Sequence, residues 1–246
     1  PCAMLLKPGE YQVLLVDAPK VSGDEVRQSI RWSIKDLLDH PIDEVTFDIL
    51  DIPVIKDDPL ANHQMYVVAA PNMLVGERMA QFENAKLSLE AIDIPETAQR
   101  NIATLYEEPH HSLALVHVDD DGALLTISFE GELYFTRRID VTLGALASGL
   151  PHDRKASEER LIVELQRSLD HFERQHQLIP ISKVVLGPMP DDLDVDKLLA
   201  EGLGISIEAA DLREVMEFAD KTIGPAGQAR IFYPLGASLR IAVAAH

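Results

Sequence analysis

Residues 30–50 read IRWSIKDLLDHPIDEVTFDIL and hold the only tryptophan of the chain, Trp32, among charged neighbours. The stretch reads as a helix followed by a strand. Ser22 and Glu25 make a capping box ahead of it, and Val26, Ile30, Ile34, Leu37 and Leu38 recur at helical spacing. Pro41 is the stop signal. At about 100° per residue those five side chains share one third of the helix circumference, while Trp32 points almost directly away, flanked by Gln28, Lys35 and Asp39. So large a ring opposite the apolar stripe needs a second surface to meet.

Working outward, AMLL, KPGEY and QVLLVDAP (residues 3–19) read as strand, turn and strand, punctuated by Pro8 and Gly9. After the tryptophan helix come the strand pair EVTFDILDI and QMYVVAA, separated by the loop VIKDDPLANH. A helix from Leu74 to Lys86, the short strand LEAIDI and a helix from Glu96 to Tyr106 follow. EEPHH (107–111) breaks the pattern and reads as a linker. Beyond it LALVHV, ALLTISF and LYFTRRI form a meander through the turns DDDG and EGE. Helix and strand then alternate through ASEERLIVELQRSLDHFERQH, KVVLG, DVDKLLAEG and ISIEAA, which implies parallel strands at this end of a second sheet. The tail ARIFYPLGASLRIAVAAH reads as a buried helix, since its uncharged run is far short of the roughly 20 residues a membrane span needs.

The chain has 246 residues, 46% of them hydrophobic, enough for one large core or two smaller ones. With 22 Lys plus Arg against 41 Asp plus Glu, its formal charge of −19 repels nucleic acid and anionic lipid. Cys2 is the single cysteine, which excludes an internal disulfide and suits a reducing compartment such as the cytoplasm. Pro1 stands where an initiator methionine would, so the expectation is a processed or truncated chain.

Catalytic motifs are scarce: no GxSxG, HExxH, GxxxxGK or CxxC occurs. His171 and His176 share a helix at a spacing of five, on different faces, and read as solvated residues. Asp191, Asp192, Asp194 and Asp196 lack the EF-hand glycine and closing glutamate, and helix N-capping accounts for them. DDGALLT (120–126) fits the D-x-G-x-x-x-T turn with which actin-like ATPases hold a phosphate: the glycine turn offers N–H groups, the aspartate places a metal-bound water, the hydroxyl adds a donor. Against that, Asp119, Asp120 and Asp121 are consecutive and would repel an anion, so a solvated acidic hairpin is the simpler reading.

Together these pieces resemble the PilM-type pilus assembly proteins. RWSIKDLLDHPIDEVTFDILDIP is similar to the family's Arg-Trp helix and the strand after it, and QMYVVAAPNMLVGERMAQFENAKLSLEAIDI to its next strand, helix and strand. SEERLIVELQRSLDHFERQH, ISKVVLGPMP and FYPLGASLRIA resemble its long helix, late strand and closing helix. Within the family, the resemblance is to the branch serving mannose-sensitive haemagglutinin pili. It implies an α/β, actin-like two-lobed fold of FtsA/PilM type with a degenerate nucleotide cleft, the opening strands of the first lobe lying upstream of Pro1. Residues 1–22 and 91–108 would form the first lobe, 23–90 its extra subdomain, and 109–246 the second lobe with a reduced roof.

The resemblance further implies a non-enzymatic cytoplasmic scaffold at the inner face of the inner membrane, holding the cytoplasmic tail of a PilN-like membrane protein. Trp32, Arg31 and Lys35 are the partner-binding candidates. Two uses of Trp32 stay open: burial in the junction between subdomains, or an edge lining the partner groove. The alternatives are an ATP-binding switch of PilM type and the cytoplasmic region of a GspL-like secretion protein. No resident cofactor is expected; were ATP and magnesium bound, Asp120, Gly122, Thr126 and Gly187 would hold them. Pro188 opposes this, because it has no N–H to offer where the family's late strand meets the nucleotide.

Overall fold

Helix α1 (Glu25–Ile34) lays Ile30 and Ile34, both fully buried, onto one face of a three-stranded antiparallel sheet. The sheet runs β2 (Gln12–Asp17), β4 (Gln64–Pro71), β3 (Val45–Asp51), and Val67 at its centre pairs with Leu14 on one side and Ile49 on the other. Val16, Val45, Phe47, Val67 and Ala69 close the core beneath α1. Each such fully buried aliphatic side chain contributes about 1.5–3 kcal/mol, which holds a ten-residue helix that would be marginal alone. The computed structural model describes residues 2–21, 23, 25–55, 62–190, 193–219 and 222–243. Ser22 of the capping box, the tip of the 54–63 loop and the pair Asp191, Asp192 lie outside the described residues.

A two-stranded parallel sheet, β1 (Cys2–Leu5) with β5 (Leu89–Asp93), and helix α2 (Asn72–Asn84) complete the first of two compact units, Pro1–Ile94. Leu6, Ala70 and Ile94 form its second small core.

The second unit, Pro95–His246, is built on a five-stranded sheet in the order β10-β9-β6-β7-β8. β6 (Ser112–Asp119), β7 (Gly122–Phe129) and β8 (Glu132–Ile139) form the antiparallel meander. β9 (Ile181–Leu186) and the short β10 (Ile207–Ala209) add in parallel. Its helices are α3 (Pro95–Ala103), α4 (Leu143–Leu146), α5 (Pro151–Gln175), α6 (Val195–Leu203), α7 (Leu212–Val215) and α8 (Pro225–Val243). α3 and α8 cross so closely that a Cβ on Gly236 would lie 2.1 Å from the Ala98 carbonyl oxygen.

The expected strand, turn and strand form at the N-terminus, with β1 and β2 joining different sheets and the three-stranded sheet beginning at Gln12. The division between the compact units falls at Ile94–Pro95. Eight of the nine residues of α3 are buried, and its Gln99 and Asn101 bond to strands and helix of the second unit, so residues 95–108 belong there. α1 ends at Ile34 because the Leu37 N–H turns back to the Ile34 carbonyl at 2.9 Å, leaving Leu37 exposed instead of in the stripe. Asp194 precedes α6 without capping it; its carboxylate takes the Lys197 ammonium instead.

Candidate functional site

The outer face of α1 carries the partner-binding candidates. Ile30 and Ile34 anchor the inner face, and the helix therefore turns Trp32 outward, where 69% of it is exposed. Among the described residues Trp32 is thus exposed and not packed into a junction. The Lys35 ammonium stands 5.9 Å from the centroid of the indole ring, at the outer limit of a cation–π contact. Arg31 is committed elsewhere, since it donates to the Asp43 carboxylate. Arg27 is similarly engaged: its guanidinium lies over the Phe47 ring at 4.5 Å, bonds the Phe47 carbonyl and faces Asp48 at 3.7 Å. Among the described residues Lys35 has no carboxylate within 4.0 Å, so Trp32 and Lys35 are the pair that α1 offers outward.

A recess of about 110 Å³ lies elsewhere on the same unit, where Gly9–Gln12 meet Asp39, His40, Val45 and Ala69–Pro71. Arg31, Trp32 and Lys35 do not line it. The candidate face and the recess are thus separate features.

The second sheet brings Asp120, Gly122 and Gly187 to one end, where β6 and β9 finish in parallel and β7 begins, while Thr126 lies inside β7. Asp119 pairs with Gly122 across a two-residue turn made of Asp120 and Asp121, and the Asp119 carboxylate accepts the Asp121 N–H at 2.8 Å. A donor that a phosphate would need is thereby occupied by the turn's own anion. Desolvation, reinforced by Asp121 and Asp120 and opposed by that hydrogen bond, holds the Asp119 carboxyl above its usual range. Gly122, at φ +124°, packs its bare Cα so close to Ile139 that a Cβ would lie 2.8 Å from the carbonyl oxygen.

Thr126 is four residues into β7 and fully buried. Its hydroxyl accepts from Gln99 Nε2 at 3.0 Å, and the same amide donates to the Leu115 and Leu124 carbonyls at 2.8 and 3.0 Å. Thr126 is a buried sheet residue whose hydroxyl is met by Gln99 of α3. No motif singles out Gln99; only the rarity of a buried amide marks it. Gly187 donates its N–H to the Val116 carbonyl at 2.7 Å, and a Cβ there would meet His117 Nδ1 at 2.6 Å. The His117 ring fills this space, stacked on Phe232 at 4.1 Å, and burial pushes its pKa down to about 3. The recess past Gly187, about 260 Å³, is walled by Pro188, Met189, Pro190 and Leu193, with Asp194 and Asp196 as charged members. Among the described residues no basic side chain lines it, which is poor chemistry for a triphosphate.

His176 packs against Phe172 and Tyr134, whereas His171 is exposed on α5, as expected, with its ring 6.1 Å from that of Phe135. Among the described residues no group of three or more His, Cys, Asp or Glu could hold a metal ion. No described helix is long and apolar enough to cross a membrane.

No protein-family model and no curated protein matches the chain. Solved structures do. A chain of the PilM–PilN type IV pilus biogenesis complex superposes with a TM-score of 0.76 at 20% identity, covering 97% of this chain and 78% of that one. A protein of unknown function with an actin-like ATPase fold from Bacteroides thetaiotaomicron gives a TM-score of 0.51 at 8% identity, covering 97% and 72%. The cytoplasmic domain of EpsL, an inner-membrane component of the type II secretion system of Vibrio cholerae, gives 0.49 at 12% identity, covering 96% and 73%. The fold is α/β and actin-like, as expected from the sequence.

Proposed function

We propose that this protein is a non-enzymatic scaffold of type IV pilus assembly that holds the cytoplasmic tail of a PilN-like inner-membrane protein. In the finer reading it serves a mannose-sensitive haemagglutinin pilus in the position of MshI, on the cytoplasmic side of the inner membrane. The observation that carries the proposal is Trp32: a large aromatic ring, two-thirds exposed, on a helix whose opposite side is fully buried, with an uncommitted lysine over its face. Exposed aromatic and cationic side chains of this kind anchor interfaces. The likeness to a chain solved in complex with PilN agrees with such a partner.

Nucleotide binding as a switch is the weaker reading, because Asp119 occupies its own turn and Thr126 is buried under Gln99. A photo-crosslinking residue placed at position 32 of the protein should capture the tail of the PilN-like protein encoded with it. The same residue at position 79, an exposed methionine on α2, should not. Equal capture at both positions, or at neither, would remove α1 as the docking face.

A further inference from the structure

The five-stranded sheet has an incomplete edge. β10 pairs only with Val184–Leu186 of β9, whereas β9 begins at Ile181. Residues 181–183 have β6 on one side, and among the described residues no strand on the other. Beside this open stretch runs a groove of about 170 Å³. Its far wall is one stripe of α5, made of Gln166, Leu169, Asp170 and Glu173 at the spacing i, i+3, i+4, i+7. Leu203 at the end of α6 and Ile205 and Ser206 in the loop before β10 complete it, and Ile205 is 40% exposed.

The charges in the groove are uneven. Lys183, its one cation among the described residues, is already shared between Glu208 at 2.9 Å and Glu108 at 3.6 Å. Among the described residues Asp170 and Glu173 have no cation within 4.0 Å. An unpaired stretch of strand edge, apolar side chains along it and two uncompensated carboxylates opposite define one kind of occupant.

We propose that this groove binds an extended peptide segment carrying Lys or Arg beside apolar side chains, which adds to the sheet as a short strand along Ile181–Lys183, in line with β10. The added segment gains main-chain hydrogen bonds from the open edge, seats an apolar side chain against Leu169 and Ile205, and places a cation at Asp170 and Glu173. Segments on the cytoplasmic side of membrane proteins carry an excess of Lys and Arg, so a membrane-anchored partner could supply one. The site is independent of α1, and neither reading depends on the other.

The test uses fluorescein-labelled heptapeptides of alternating Lys and Val, of alternating Glu and Val, and of the Lys series with its central Val replaced by Pro. Anisotropy is measured on the full chain. The Lys–Val peptide should bind and slow hydrogen exchange at residues 181–184, the Pro peptide should bind at least about tenfold more weakly because proline removes a ladder donor, and the Glu–Val peptide should not bind. The double variant Asp170→Asn, Glu173→Gln should weaken the Lys–Val peptide by about tenfold. Equal binding of the Lys–Val and Pro peptides would overturn strand addition, leaving nonspecific attraction to an acidic protein. Unchanged affinity in the double variant, or protection elsewhere in the chain, would overturn the location.

Discussion

The carboxylate of Asp119 accepts the backbone N–H of Asp121 at 2.8 Å, closing the acidic turn between β6 and β7 on itself. A phosphate at this turn would have to displace a covalently tethered anion and then sit beside two further carboxylates. Mg-ATP at millimolar concentration should therefore give no thermal shift, and the exposed Asp120→Ala variant should behave as the parent does. A shift that Asp120→Ala abolishes would restore the nucleotide-switch reading. Gly122 is a poor probe, since its φ of +124° and the Ile139 carbonyl make any side chain there destabilising in itself.

The same turn sets a pH dependence. Asp119 has its carboxyl pKa raised in the folded protein, so the folded state binds its proton more readily than the unfolded chain does. The strain of burying the charge is full above the raised value and is relieved as pH falls through it towards the ordinary carboxylate range. Asp119→Asn keeps an acceptor for the Asp121 N–H and removes the charge. It should stabilise the protein at pH 7, with the gain shrinking at pH 4, as read from urea unfolding at both pH values.

Two helix glycines should respond to alanine with opposite signs. Gly236→Ala in α8 drives a methyl into the Ala98 carbonyl and should cost about 1–3 kcal/mol or more as overpacking. Gly76→Ala in α2, where nothing lies within 4 Å of the added Cβ, should gain about 0.5–1 kcal/mol from helix propensity. Thermal melts of the two variants decide it, and a stabilised Gly236→Ala would contradict the close crossing of α3 and α8.

Gln99 offers a polar counterpart. Its Nε2 bonds two carbonyls and the Thr126 hydroxyl in a dry interior. Gln99→Leu should cost about 1–3 kcal/mol by stranding those acceptors. Thr126→Val should cost less, because it removes a partner from an amide that keeps two others.

What the sequence discloses follows the range of the interactions involved. Periodicity placed almost every element, since amphipathic helices and alternating strands announce themselves locally. It also aimed Trp32 away from the apolar stripe, as observed. The sheet that QVLLVD joins is a long-range fact: Pro8–Gly9 marked the turn, but nothing local shows that β2 pairs with β4, in a register running from Gln12 with Ala69 to Asp17 with Gln64. The end of α1 was hidden because Leu37 and Leu38 continue the pattern past a turn that is fixed by the Leu37 N–H on the Ile34 carbonyl and the Asp39 N–H on the Gln12 side chain. Thr126 fitted a motif by spacing along the chain, yet its side chain faces α3, and no spacing rule reports what a buried hydroxyl meets.

The central claim is that Trp32 belongs to an interface and contributes little to the fold. Calorimetric titration of the full-length protein and its Trp32→Phe variant with the cytoplasmic tail peptide of the PilN-like protein tests it most directly, with a melting temperature measured for each. The account predicts an affinity loss of roughly 1–2 kcal/mol and a stability change within about 0.5 kcal/mol, as for other exposed positions. Unchanged affinity, or a lowered melting temperature with affinity intact, would contradict it and move the docking surface away from α1.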